Sequence, residues 1–318
     1  MPFSPVVMTG YSRDTTLAKS LLYLSRCYGV EKHECYLFLD APNCEMDEQK
    51  CLKMRMVAEK AKKEYLPNLN IILRERNYGV PGNLIDAITN VINQYDRVIF
   101  FEDDVLVSRT FIEYIESCLK FYEADSRIFC INGFKFPYLR VPRRYKYDIY
   151  LNPRNMAWGF GIWKDRWSMV DFRMEDWNLF KGVEENLKRL DIAGRDLHSM
   201  IEAQLVGKIH TWDVQCSYYM VKNGLFAIEP RYSLTKNIGF GGNAGVHCGY
   251  DPVLRKMKFF DFSPRLLDGI LPDEEMMKRF QYSLMDRRFV SRCVRLCMRK
   301  IKRFGPLNDM PKAMVRHK

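Results

Sequence analysis

The sequence predicts an α/β fold with a mostly parallel central sheet flanked by helices, beginning with a Rossmann-like half. Three observations carry this. In the first 135 residues, short apolar runs at 6–8, 36–39, 71–73, 98–101 and 128–131 alternate with helical patterns at 17–27, 48–64, 83–95 and 110–122. The helical patterns repeat apolar residues every three or four positions, and such alternation implies βαβ units. The apolar runs are continuous rather than alternating, as expected of strands buried on both faces. Polar features follow the first, second and fourth runs, namely Thr9 to Arg13, Asp40, and Glu102-Asp103-Asp104. Ligands of parallel sheets bind at these carboxyl ends, near a topological switch point.

The fourth run, Val98-Ile99-Phe100-Phe101, leads directly into three consecutive carboxylates. Packed like charges raise one another's pKa unless a cation lies between them, and hard divalent ions prefer such oxygen donors. Strand side chains alternate in direction, so only the last carboxylates can turn toward one ligand. That puts Asp104 on a metal and Asp103 beside it, with a metal-chelated phosphate as the occupant. The competing reading is a solubilised strand end or a helix cap. The helix that follows, however, has its own capping box in Thr110-Phe111-Ile112-Glu113.

At 318 residues the chain fits one large α/β domain with appendages. Its formal net charge of +11 favours anionic partners, whether nucleic acid, a phosphorylated substrate or an acidic membrane surface. The ten cysteines are scattered and lack CxxC or Cys/His zinc spacing, as expected of reduced thiols. No segment approaches the ~18 uninterrupted apolar residues of a spanning helix. The start has neither the charged n-region nor the h-region of a signal peptide. The expectation is a cytoplasmic protein, soluble or peripheral on the inner face of the membrane.

From about Pro137 the repeat ends, and no Pro/Gly-rich linker or internal repeat divides the chain. A basic loop (Arg140, Arg143, Arg144, Lys146) precedes Trp158-Gly159-Phe160-Gly161-Ile162-Trp163. A helical stretch from 176 to about 206 comes next, followed by Thr211-Trp212-Asp213, a strand-like run to Val221 and the glycine-rich Asn237-Ile238-Gly239-Phe240-Gly241-Gly242. This half reads as an acceptor-binding region completed by loops. Neither GxGxxG nor GxxxxGK[ST] occurs.

Taken together, Val6-Val7-Met8 with Arg13, Leu39-Asp40, Arg76-Asn77-Tyr78-Gly79 with Asn83, Glu102-Asp103-Asp104, Ala157-Trp158-Gly159 and Asn237-Ile238-Gly239-Phe240 resemble the nucleotide-sugar glycosyltransferases of GT-A fold. The resemblance spans roughly residues 5 to 250. It is to bacterial sugar transferases of surface-polysaccharide clusters and, more distantly, to eukaryotic N-glycan β-1,2-N-acetylglucosaminyltransferases, which share the Glu-Asp-Asp triplet. It implies a GT-A domain over 1–250, with a nucleotide-sugar half to about 135 and an acceptor half from about 136, and a C-terminal helical basic extension over 251–318. The activity implied is metal-dependent and inverting transfer of a hexose or N-acetylhexosamine. The sugar would move from a UDP-type nucleotide sugar to a glycan or lipid-linked saccharide.

Carried over by position, the resemblance implies that Asp40 recognises a uracil-type base, with Arg13 and Asn83 near the nucleotide. Asp103 would hold the ribose side and Asp104 the Mn²⁺ or Mg²⁺ on the diphosphate. Asp213 resembles the base that takes the acceptor proton, and a turn or N-cap aspartate is the alternative; Glu202 is a substitute placed by helical spacing. His247 follows the glycine-rich loop and would complete metal coordination or bind diphosphate, unless it is an ordinary loop histidine. Trp158 and Gly159 would meet the acceptor, and Trp158, Phe160 and Trp163 make either a sugar-stacking wall or core. In residues 287–303, eight Lys and Arg are interleaved with apolar residues, which suits either a helix lying on an anionic membrane or one packed on the domain. Competing functions are a nucleotidyltransferase acting on a sugar phosphate, a non-catalytic sugar-nucleotide binder, and a nucleic-acid binder, the last lacking any recognised motif.

Overall fold

The structure is a computed structural model describing residues 2–239 and 252–284. In chain order the first half comprises β1 (Val6–Gly10), α1 (Asp14–Leu24), β2 (Cys35–Leu39), α2 (Glu45–Glu64), β3 (Leu69–Leu73), α3 (Gly79–Tyr95), β4 (Arg97–Glu102), β5 (Val105–Val107), α4 (Phe111–Phe121) and β6 (Ile128–Asn132). The second half comprises β7 (Ile149–Asn152), β8 (Phe160–Trp163), α5 (Lys164–Trp167), α6 (Trp177–Lys181), α7 (Glu184–Ile192), α8 (Leu197–Leu205), α9 (Asp213–Asn223), β9 (Phe226–Pro230) and β10 (Thr235–Asn237). Beyond residue 251 come α10 (Pro252–Lys256) and α11 (Glu274–Ser283).

Eight strands form one sheet in the order β3-β2-β1-β4-β8-β6-β9-β7, while β5 and β10 make a separate antiparallel pair. The first four strands are parallel, and antiparallel β8 joins them to the parallel pair β6 and β9. The molecule is therefore the expected α/β type, with a large central sheet flanked by helices. Strand side chains alternate between two cores. Val6, Met8, Ile99 and Phe101 pack with α1, α2 and α4, whereas Val7, Val98 and Phe100 pack with α3 and α9. Burial on both faces explains the continuous apolar runs of β1, β2, β4 and β6, whereas in the edge strand β3 Ile71 and Ile72 are half-buried and Leu73 is exposed.

Several expectations change in detail. The helix read at 83–95 starts at Gly79, whose φ of +69° is open to glycine without strain. The stretch 176–206 is three helices, interrupted at Gly182 and around Gly194, the latter at φ +125°. The strand-like run after Asp213 is the helix α9, and Tyr218 and Val221 face the small core that holds Trp177 and Phe180. Thr110 is the N-cap of α4, but the capping box does not form, because its hydroxyl oxygen accepts from the Phe262 N–H at 3.0 Å and donates to the Phe262 carbonyl at 2.9 Å.

Phe160 and Trp163 are core residues, 1% and 3% exposed, and so form no sugar-stacking wall. Residues 252–284 pack on the domain. Leu254, Met276 and Phe280 share a core with Phe134, Phe136 and Tyr150, and Arg109 pairs with Asp261 at 2.6 Å. The seven cysteines among the described residues are free. No described helix is long and apolar enough to cross a membrane. His247 and the basic stretch 287–303 lie outside the described residues.

Candidate active site

Strand order 3-2-1-4 means that the chain winds outward from β1 to β3 and then returns to the opposite side of β1, opening a switch point between β1 and β4. Register aligns what emerges there, with Gly10 opposite Leu39 and Thr9 opposite Glu102. Asp40 follows β2, Arg13 precedes α1, and Asp103 and Asp104 form the turn between β4 and β5. The carboxyl ends of three adjacent strands thus bring together residues separated by up to 91 positions.

Arg13 donates from Nη2 to Asp103 Oδ1 at 2.5 Å and from Nη1 to Asp104 Oδ2 at 2.6 Å. The carboxylate side chains are 3% and 7% exposed and the guanidinium side chain 26%, so this is a buried fork rather than a surface pair. Removing one partner of such a pair typically costs about 3–5 kcal/mol, because buried charge is left uncompensated. Burial works against the Arg13 charge, but Asp103 and Asp104 outweigh it and raise its pKa. Burial also raises Asp103, and Arg13 draws it back down. Glu102 is pushed up to about 8, first by burial and then by the charge on Asp104. The indole Nε1 of Trp212 donates to Glu102 at 3.4 Å.

Asn237, which the sequence reading did not single out as a site residue, completes the surround of Asp104. Its amide Nδ2 donates to Asp104 Oδ1 at 3.1 Å, and the Ile238 N–H donates to the Asp104 carbonyl at 2.7 Å. The antiparallel pairing of β10 with β5 sets Asn237 opposite Val105 and delivers these contacts. A Cβ at Gly239 would lie 2.2 Å from Asp104 Oδ2, so only glycine fits there. The motif Asn237-Ile238-Gly239-Phe240 marks the segment in the sequence but not this contact, which depends on strand pairing across more than a hundred residues.

Asp40 accepts from the Tyr78 N–H at 2.9 Å and from the Ala41 N–H at 3.1 Å. Burial raises its pKa, and those N–H groups and Arg74 oppose the rise. Asn83 is committed to the scaffold: its Nδ2 donates to the Phe38 carbonyl at 3.3 Å, and its Oδ1 accepts from Arg74 Nε at 2.9 Å. Arg74, also unannounced by the sequence, lies 4.7 Å from the ring centres of both Phe38 and Tyr78 and pairs with Asp86 at 2.5 Å. Its cation therefore stiffens the wall beside Asp40.

Asp213 is the first residue of α9, half-buried, and next in sequence to the Trp212 that touches Glu102. Burial raises its carboxyl, while Arg154, Thr211 and the N–H groups of the helix start lower it. Arg154 is buried and donates to Asp196 at 2.7 Å. Glu202 lies elsewhere, accepting from Trp177 Nε1 at 2.8 Å and pairing with Lys181 at 2.9 Å. Trp158 is half-buried, edge-on to Phe134 at 4.6 Å. Gly159 has φ +100°, and a Cβ there would meet Thr235 at 2.9 Å and Phe111 at 3.2 Å, so the close approach is of protein to protein.

Among the described residues no group of three or more His, Cys, Asp or Glu side chains is arranged to hold a metal ion. The donor chemistry nonetheless suits a small hard cation. Two buried carboxylates already converge on one positive group, and Mg²⁺-like ions use one or two carboxylates and fill the remaining positions with water and substrate phosphate.

No protein-family profile matches the chain, and neither does any curated protein. Among solved structures it is similar to residues 1–349 of S. aureus TarS (12% identity, TM-score 0.42, covering 75% of this chain and 61% of that one). It is also similar to the Pyrobaculum calidifontis mannosyltransferase PcManGT, solved with GDP-Man and Mn²⁺ (15% identity, TM-score 0.41, covering 72% and 55%). A third likeness is to the galactosyltransferase LgtC in complex with donor and acceptor sugar analogues (14% identity, TM-score 0.36, covering 74% of each chain). The match to TarS and PcManGT spans less than two thirds of those chains.

Proposed function

We propose that the chain is a metal-dependent glycosyltransferase that moves a sugar from a UDP-type nucleotide sugar to a glycan or lipid-linked saccharide, with inversion. The observation that carries this reading is the convergence of Arg13, Asp40, Asp103 and Asp104 at the carboxyl ends of three adjacent strands around a switch point. Asp40, walled by Tyr78 and Arg74, presents a carboxylate suited to the N–H of a uracil-type base. Asp103 and Asp104 would hold the ribose side and a divalent ion, Mn²⁺ or Mg²⁺. When bound, that ion supplies Lewis-acid stabilisation of the departing diphosphate.

The chain's own residues do the rest. Asp213, held at a helix start and countered by Arg154, takes the proton from the acceptor hydroxyl as the new glycosidic bond forms. Trp158 offers a half-buried aromatic surface for an acceptor sugar. The position of Asp213, one residue from the indole that touches Glu102, supports this role over that of a remote helix cap. Peripheral attachment to an anionic membrane would come from residues 287–303, and His247 would serve as a further metal or diphosphate ligand.

The test is to incubate the protein with UDP-hexoses and UDP-N-acetylhexosamines, Mn²⁺ and a panel of saccharide acceptors, and to identify the nucleotide product. Release of UDP with a glycosylated acceptor supports the reading. Release of pyrophosphate from a nucleoside triphosphate and a sugar phosphate would make the chain a nucleotidyltransferase instead. Nucleotide-sugar affinity without turnover on any acceptor would leave it a binder.

A further inference from the structure

Asp103 and Asp104 already carry a cation that belongs to the chain. Three of the four carboxylate oxygens accept hydrogen bonds, Asp103 Oδ1 and Asp104 Oδ2 from Arg13 and Asp104 Oδ1 from Asn237, and Asp103 also accepts from the Tyr11 N–H. A divalent ion joining this pair competes with these partners. The surrounding partners are not equally movable. The Tyr11 N–H is backbone immediately after β1, and Asn237 is held through β10 and the Gly239 N–H, which donates to its Oδ1 at 2.7 Å. Arg13 sits at the end of a long flexible side chain, and its side chain is 26% exposed against 3% and 7% for the two carboxylates.

Resting on the metal-dependent reading above, we infer that Arg13 is an exchangeable counter-ion, an internal substitute for the divalent cation that leaves the carboxylates only when a diphosphate arrives with the metal. In the free protein one guanidinium offsets one of the pair's two negative charges, whereas a divalent ion offsets both. In the loaded protein the metal takes its place, and the freed guanidinium meets the phosphates, whose oxygens fit its planar fork. Bare metal has to displace Arg13 into water with nothing new to pair it, so the free protein discriminates against metal alone. Metal and nucleotide thereby bind with positive coupling, and the coupling is reciprocal.

The experiment titrates Mn²⁺ into the full chain with and without UDP, following free Mn²⁺ by electron paramagnetic resonance, for wild type, Arg13→Met and Arg13→Lys. The expected result is weak binding of bare Mn²⁺ by wild type, tightened at least tenfold by UDP. Arg13→Met is expected to bind bare Mn²⁺ at least tenfold more tightly than wild type, with UDP's effect reduced by the same factor. In thermal melts, its melting temperature should rise with Mn²⁺ alone more than that of wild type. Arg13→Lys, which keeps the charge, provides the comparison if the methionine variant does not fold, and is expected to retain weak binding of bare Mn²⁺. Equal affinity for bare Mn²⁺ in wild type and Arg13→Met, or binding as tight in Arg13→Lys as in the presence of UDP, would overturn the exchange and leave the metal-dependent reading standing. Absence of Mn²⁺ binding to wild type even with UDP would overturn that reading itself.

Discussion

Gly239 and Asp213 each carry a distinct part of the account at the level of single atoms. Gly239 gives Asp104 its room: a methyl group there would lie 2.2 Å from Oδ2 and 3.1 Å from Arg13 Nη1. Gly239→Ala is expected to weaken UDP binding in the presence of Mn²⁺ at least tenfold, about 1.4 kcal/mol, with an unchanged circular dichroism spectrum. Asp213→Asn keeps the shape of the carboxylate and removes its basicity. Its turnover is expected to fall by about 10²–10⁴ while UDP affinity measured by calorimetry stays at the wild-type value. At this scale the sequence was legible where a residue's role depends on its neighbours in the chain. Asp103 and Asp104 stand out because charge follows directly on a buried strand. Asn237 and Arg74 do not, because their roles come from a strand pairing and from two rings contributed by other elements.

Among the elements, the first half was legible because its periods are local. Helices α1 to α4 bury one stripe each, and the strands between them centre on apolar runs, buried in β1, β2 and β4 and half-buried in the edge strand β3. The second half was not. β7, β8 and β9 are four or five residues long, and β8 reads as an aromatic cluster until its pairing with β4 and β6 turns Phe160 and Trp163 inward. The run after Asp213 combines apolar and polar residues in a way that fits a short strand as well as the helix it forms, and only packing against Trp177 and Phe180 decides between them. Gly161 in β8 provides a test of this layer. A Cβ there would lie 2.4 Å from Ile115 and 3.0 Å from Leu119, because α4 rests directly on the strand. Gly161→Ala is expected to destabilise the fold by about 1–3 kcal/mol through overpacking, read as a lower urea midpoint with an unchanged slope.

Across the whole molecule, one sheet joins the two halves, and its far side holds a buried acid with no part in the candidate site. Glu229 in β9 is fully buried and accepts from the Tyr150 hydroxyl and the Asn152 amide. Burial pushes its pKa up to about 7, and those two donors oppose the rise. A carboxyl whose folded pKa lies above its unfolded value binds more protons in the folded state, so the contribution of Glu229 to stability falls as pH rises from about 4.5 to about 7 and levels off beyond, adding to the same-signed contributions of Glu102 and Asp103. Glu229→Gln is expected to make the falling slope of the melting-temperature profile over this window shallower than in wild type, leaving the part due to Glu102 and Asp103, while losing the hydrogen bond that the Asn152 amide makes to a carboxylate oxygen. A slope as steep in the variant as in wild type would assign the titration to other groups.

The central claim is that the Asp103–Asp104 pair at the switch point receives a metal-chelated nucleoside diphosphate. The most direct measurement is calorimetric binding of UDP, with GDP for comparison, with and without Mn²⁺, to wild type and Asp104→Ala. The account predicts UDP binding that requires Mn²⁺, exceeds GDP binding, and is lost in Asp104→Ala. UDP binding that ignores the metal, or that survives the substitution, would contradict it.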